Sequence, residues 1–368
     1  MRKIIYIAAI LFFASILSGQ DTPRFGGTLQ IGKSADITTL YPWEMTDLET
    51  MFVFQNIYEP LVRLKKENAD IEPCLATDWT ASKNYKTWTF HLRTNVKFHD
   101  GTPFNANSVI ASFANRHSFP ARLKKADDYT IVFSLDNPDA AFAITLSIEF
   151  YSIAGDATIK CYKEKCEKPV VVGTGPFMFK SWEPGKKLIL VSNKDYWGGK
   201  PYLDEVIFIP FASNAELIKA LKNHTVDIST SILPDHIKEI RGTSMLMFQS
   251  MPAMSLGYLG MNNEKPPFNK KEVRTAISYA INKKELINKY FLNGQAGMLA
   301  KNCLAPTMFG YDKELQDREY DPAKAKELLK EAGFPDGFET TLMPTGASRP
   351  YMPNPAAIAA DVKKYLED

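Results

Sequence analysis

Apolar and polar residues alternate most clearly in residues 85–104, YKTWTFHLRTNVKFHDGTPF. There Trp88, Phe90 and Leu92 fall on one side of the chain, and Thr89, His91 and Arg93 on the other. A period of two is that of a half-buried strand. Val96 and Phe98 then lead into Asp100-Gly101, a tight-turn pair. Residues 127–135, DDYTIVFSL, alternate again, and residues 173–193 predict a hairpin turning at Pro184-Gly185. Residues 203–211 predict a further strand, and residues 26–42 a strand leaving a glycine turn and then a loop. Helical spacing replaces alternation at Met51, Phe54 and Ile57–Tyr58, predicting a helix that ends at Pro60 or soon after. Residues 214–230 predict a helix running into a strand. Asn269 with Glu272, and Asn282 with Glu285, have capping-box spacing. Asp321, Pro322 and Gly333 mark the start and stop of one more helix. Strands and helices mix without a repeat, as in a multidomain α/β protein.

The 368 residues, 45% hydrophobic, suffice for two or more packed cores. A net charge of +2, from 44 basic and 42 acidic residues, argues against a nucleic-acid partner. The amino terminus changes the picture more. Arg2 and Lys3 precede an apolar run over residues 4–17, and small and polar residues follow. The run is short for a membrane span, which needs roughly 20 residues. It predicts a signal peptide over residues 1–20, with a signal anchor as the alternative. The mature chain then begins near Gln20 or Asp21, outside the cytoplasm. Leu17-Ser18-Gly19 resembles the start of a lipoprotein box, but Gln20 stands where its cysteine belongs, so no lipid anchor is expected.

Candidate chemistry is sparse. Cys161 and Cys166 flank a charged stretch that reads as a surface loop, and an oxidising compartment favours a local disulfide. Zinc is the competing reading, but no nearby Cys or His completes a tetrahedral set. Cys74 and Cys303 look isolated, and their pairing is not legible. GTGPFM at 173–178 lacks the third glycine of a dinucleotide loop, and a glycine-permitted chain crossing is the expectation. His91 and His99 read as solvated imidazoles. Trp43, Trp79, Trp88, Trp182 and Trp197 read as anchors of cores or domain contacts. No nucleophile–base or metal motif is present, so neither an enzyme nor a cofactor is expected. In SRPYMPN (348–354), Pro350 pushes Arg349 out of the helical region beside Tyr351. By itself that arginine is either a solvated loop charge or a prepared anion clamp.

Several ordered blocks resemble the family 5 extracellular solute-binding proteins that serve bacterial ABC importers. They are LATDWTASKNYKTWTFHLRTNVKFHDGTPFNANSV (75–109), residues 172–208, PFNKKEVRTAISYAINKKELI (267–287) and YDPAKAKELLKEAGF (320–334). PTMFGYD (306–312) followed by RPYMPN is most similar to the dipeptide-binding members. The resemblance implies a bilobal clamshell with an extra α/β domain. Residues 26–54 and 175–261 would form the first lobe, 55–174 the extra domain, and 262–368 the second lobe. It implies a periplasmic receptor that captures dipeptides or short peptides and delivers them to an inner-membrane permease and ATPase. The receptor would act as a monomer. It also implies that Arg349 pairs with the peptide carboxylate and that Tyr351 lines the cleft. A haem, glutathione or nickel receptor, and a truncated fragment without a transport role, are the alternatives. Family members are longer, so the second lobe is expected to be incomplete, without the aspartate that holds the peptide amino group.

Overall fold

The computed structural model describes residues 23–65, 70–116, 119–250, 254–306, 308, 310–346 and 348–368. The apolar run read as a signal peptide and Gln20 lie outside the described residues. Gly26 and Gly27 both adopt positive φ, which glycine permits without strain. They launch β1 (Thr28–Lys33). Asp47 then caps α1 (Leu48–Ile57) by accepting the Thr50 N–H, and the helix buries Val53, Phe54 and Ile57.

The next unit is antiparallel. A ribbon of β2 (Val62–Leu64) and β3 (Ile71–Pro73) adjoins a four-stranded sheet. That sheet contains β4 (Ala76–Ala81), β5 (Thr87–Leu92), β6 (Ala121–Asp127) and β7 (Thr130–Leu135), in the order β4-β5-β7-β6. Between β5 and β6, α2 (Ala106–Phe113) starts with a capping box of Asn105 and Ser108. Trp88, Phe90 and Leu92 face inward, as their alternation predicts. They pack with Phe98, Phe104, Phe113, Phe133 and Phe142 into one core. Two more helices, α3 (Phe142–Thr145) and α4 (Asp156–Glu164), complete this part.

The chain then returns to β1. The expected hairpin is β8 (Phe177–Glu183) and β9 (Lys187–Ser192), turning at Gly185 with φ of 74°. With β10 (Glu205–Pro210), α5 (Asn214–Lys222) and β11 (Ile228–Ser229), it builds a sheet of order β11-β1-β10-β9-β8. β1 runs parallel to both neighbours, as crossovers through helices require. α6 (Ile237–Arg241) follows. Leu188, Leu190, Val206 and Phe208 pack beneath α1, while Leu217 and Leu221 of α5 gather around Val226.

Four helices form a third core: α7 (Lys271–Ala280), α8 (Lys283–Tyr290), α9 (Pro322–Glu331) and α10 (Pro355–Glu367). Its centre is Val273, Ile277, Ile281, Ala332 and Val362. Asp321 and Asn282 cap as expected. Gly333, φ 87°, ends α9, with Phe334 N–H donating to Leu329 O and Gly333 N–H to Lys330 O. The box expected at Asn269 is not formed. Lys270 is the N-cap of α7 and makes no side-chain cap; its Nζ donates instead to Ala332 O at the end of α9, 2.7 Å away. Among the described residues, no helix is long and apolar enough to cross a membrane.

Candidate functional site

Arg349 and Tyr351 sit on a tight turn between the third core and an extended segment. The Arg349 N–H donates to Met352 O at 3.0 Å, and the Met352 N–H returns to Arg349 O at 2.9 Å. Pro350 and Tyr351 form the tip, where proline pre-sets φ. Immediately afterwards Pro353 and Pro355 are buried, and Asn354 caps α10 by accepting the Ala357 N–H. On the other side the chain passes so close that a Cβ on Gly257 would lie 3.1 Å from Tyr351 O. The turn is therefore held at both ends. Its Arg349 side chain is half-buried and has no hydrogen-bond or ion-pair partner among the described residues. A rigid backbone carrying an unmatched planar cation is suited to bidentate recognition of a carboxylate. Tyr351 is likewise half-buried.

In the five-stranded sheet, the carboxyl ends of the parallel strands carry a second cluster. Lys33, the last residue of β1, is 3% exposed and pairs with Glu49 at 2.5 Å. Its ammonium lies over the Phe52 ring, 4.1 Å from the centroid. Glu49 also accepts from Ser34 Oγ at 2.6 Å and Ser231 Oγ at 3.1 Å. Burial pushes the Lys33 pKa below its ordinary value, and the Glu49 carboxylate opposes that shift. Crevices of α/β sheets open at the carboxyl ends of their parallel strands. The periodicity of the sequence does not reveal this pair, because helix α1 has to fold back to bring Glu49 to Lys33.

A third cluster ties the units together. Glu59, 5% exposed, accepts from Thr174 Oγ1, Tyr196 OH and Trp197 Nε1 at 2.7–2.8 Å. Burial raises its pKa, and these three donors pull the other way. Gly175 N–H donates to Ile57 O, and a Cβ on Gly175 would lie 2.5 Å from Asn56 O. The 173–178 stretch is thus a close crossing against the end of α1. His99 corrects the expectation of a solvated ring. Its Nδ1 accepts the Gly173 N–H, its Nε2–H donates to Gly175 O, and burial lowers its pKa.

Cys161 also differs from expectation. It lies within α4, not on a surface loop, and is buried, whereas Cys166 is exposed beyond the left-handed Lys165. Both are free thiols in this structure. Cys161 Sγ accepts the Val170 N–H and faces Lys168 O, while the Cys166 backbone N–H donates to Cys161 O at 3.1 Å. Among the described residues, no group of three or more His, Cys, Asp and Glu could hold a metal ion.

Residues 70–367 match the model of the bacterial extracellular solute-binding proteins, family 5. The chain belongs to this family. The haem-binding protein A of Haemophilus influenzae is 34% identical over 338 residues, which cover 83% of this chain and 61% of that protein. The dipeptide-binding protein of Escherichia coli is 32% identical over 336 residues, covering 82% and 62%. The chain therefore spans about three-fifths of the length of these relatives. Among solved structures, the periplasmic binding protein DppA of Helicobacter pylori, in complex with the peptide STSA, superposes with a TM-score of 0.78 at 32% identity. That match covers 94% of this chain and 72% of the other.

Proposed function

We propose that this chain serves as a periplasmic receptor that captures dipeptides or short peptides and delivers them to an ABC permease and its ATPase. The observation that carries this reading is the Arg349 guanidinium, held on a doubly hydrogen-bonded turn with no partner among the described residues. Arg349 binds the peptide's terminal carboxylate, and Tyr351 lines the cleft beside it. The sheet built on residues 26–54 and 175–261 is the first lobe, residues 55–174 form the extra domain, and residues 262–368 begin the second lobe. Peptide lies where the lobes meet, and closure of the hinge signals occupancy to the permease. The receptor is secreted through its signal peptide, works as a monomer without nucleic acid, and catalyses nothing.

Relatives named for dipeptides, and one solved with a peptide, support this ligand class. The relative named for haem supports a second reading, haem capture by the same cleft. The deciding experiment is titration calorimetry on the chain completed to its relatives' length with their carboxyl-terminal portion. Dipeptide, glutathione and haem are titrated in turn. Saturable heat with dipeptides and none with haem supports peptide capture, and the opposite outcome replaces it.

A further inference from the structure

One face of α7 lines a cavity of about 510 Å³. Lys271, Arg274, Thr275 and Ser278 recur at helical spacing on that face, opposite the buried Val273, Ala276 and Ile277. Leu259 and Met261 of the extended segment form the apolar floor, and Arg318 closes the far side. Three cations and two hydroxyls thus converge on one concavity, and no carboxylate lines it.

The neighbouring helix takes up the nearby carboxylates: the three lysines of α8 pair as Lys283 with Asp317, Lys284 with Glu319, and Lys289 with Asp361. Asp317 and Glu319 flank Arg318 in sequence, yet both turn to α8 and leave Arg318 unpaired. Neither the Lys271 nor the Arg318 side chain has a hydrogen-bond or ion-pair partner among the described residues. Arg274 is fixed at the wall by donating to Phe268 O at 2.8 Å and Asn269 O at 3.1 Å, both neutral acceptors. Lys271 is also the first residue of α7, where the helix dipole favours an anion over a cation. Like charges gathered in a concave wall repel one another, and an anion between them removes that cost.

We propose that this cavity is an anion-binding site, distinct from the Arg349 turn, for a compact ligand bearing a phosphoryl group or clustered carboxylates. Its size suits a small molecule, since ligand pockets commonly run from roughly 300 to 1,000 Å³. The two cations at the rim supply charge, Arg274 supplies fixed direction, and Thr275 and Ser278 donate to the remaining oxygens.

The test is calorimetric titration of the 368-residue protein with inorganic phosphate and, separately, with citrate. Ionic strength is held constant with sodium chloride. The expected result is saturable binding of at least one anion, weakened about tenfold or more by Lys271→Gln with Arg318→Gln. Both side chains are exposed and unpaired, so an unchanged thermal midpoint without anion is expected for that variant. Ser278→Ala, which leaves every charge in place, weakens binding several-fold and reports contact inside the cavity. Lys363→Gln removes an exposed cation on α10, paired with Glu367 away from the cavity, and changes affinity by less than about twofold. Whichever anion binds more tightly separates the phosphoryl class from the carboxylate class. No saturable heat up to roughly 10 mM of either anion, or equal losses in Lys363→Gln and the double variant, overturns the proposal.

Discussion

His99 and Gly173 hold one another by two hydrogen bonds. The His99 N–H donates to Gly173 O at 2.9 Å, and the Gly173 N–H donates to His99 Nδ1 at 3.2 Å. Because Gly175 O can only accept, the ring carries its proton on Nε2 and is neutral. A second proton would place a donor against the Gly173 N–H. The folded-state pKa is lowered by burial, so below the unfolded value of about 6.5 the unfolded chain binds more protons. His99 therefore contributes stability above that pH, and the contribution is lost as pH falls through the folded pKa. Glu59 acts in the opposite sense, since its raised pKa favours the folded state on acidification, so parent and variant must be compared. Urea midpoints at a neutral and a mildly acidic pH should fall more in the parent than in His99→Gln. Equal falls would contradict the neutral clasp.

At Gly173 itself a Cβ would collide with the Ile57 carbonyl oxygen, which belongs to a helix end and cannot swing away. Gly173→Ala should destabilise at the upper end of overpacking costs, about 3 kcal/mol. Gly346→Ala meets nothing within 4 Å and should stay within about 0.5 kcal/mol of the parent. Similar denaturant midpoints for the two variants would show that the crossing can relax.

We propose further that Cys161 and Cys166, brought together by the Cys166 N–H to Cys161 O hydrogen bond, close into a disulfide in an oxidising compartment. The loop is small, so the chain-entropy model gives about 2 kcal/mol. Denaturing alkylation of protein isolated from the periplasm, without reductant, should leave both thiols unlabelled. Complete labelling of both would rule the bond out.

The alternating strands were legible because each buries one face; β5 and β7 follow their pattern residue by residue. Caps at Asn282 and Asp321 were legible because they depend only on neighbours in sequence. Asn269 lost its place to Lys270, whose tether to Ala332 lies across the third core and leaves no local trace. The same distance in sequence hid Lys33 from Glu49, His99 from Gly173, and Glu59 from Trp197. At the site, the extended, proline-flanked setting of Arg349 could be read directly. The absence of a partner for its guanidinium among the described residues needed the fold.

The account rests on Arg349 as a carboxylate clamp, and a double cycle on the chain completed to its relatives' length tests it most directly. Dipeptide and its carboxyl-terminal amide are titrated into the parent and into Arg349→Ala, with Arg349→Lys as a third form. Leaving a desolvated carboxylate without its cation costs about 2–5 kcal/mol. The free acid should therefore bind Arg349→Ala roughly 30-fold or more weakly than the parent. Lysine should restore only part of that loss, because it lacks the planar fork. The amide should bind the parent poorly and lose little more on the alanine change, which isolates the pair from damage to the turn. Equal losses for acid and amide would contradict the clamp.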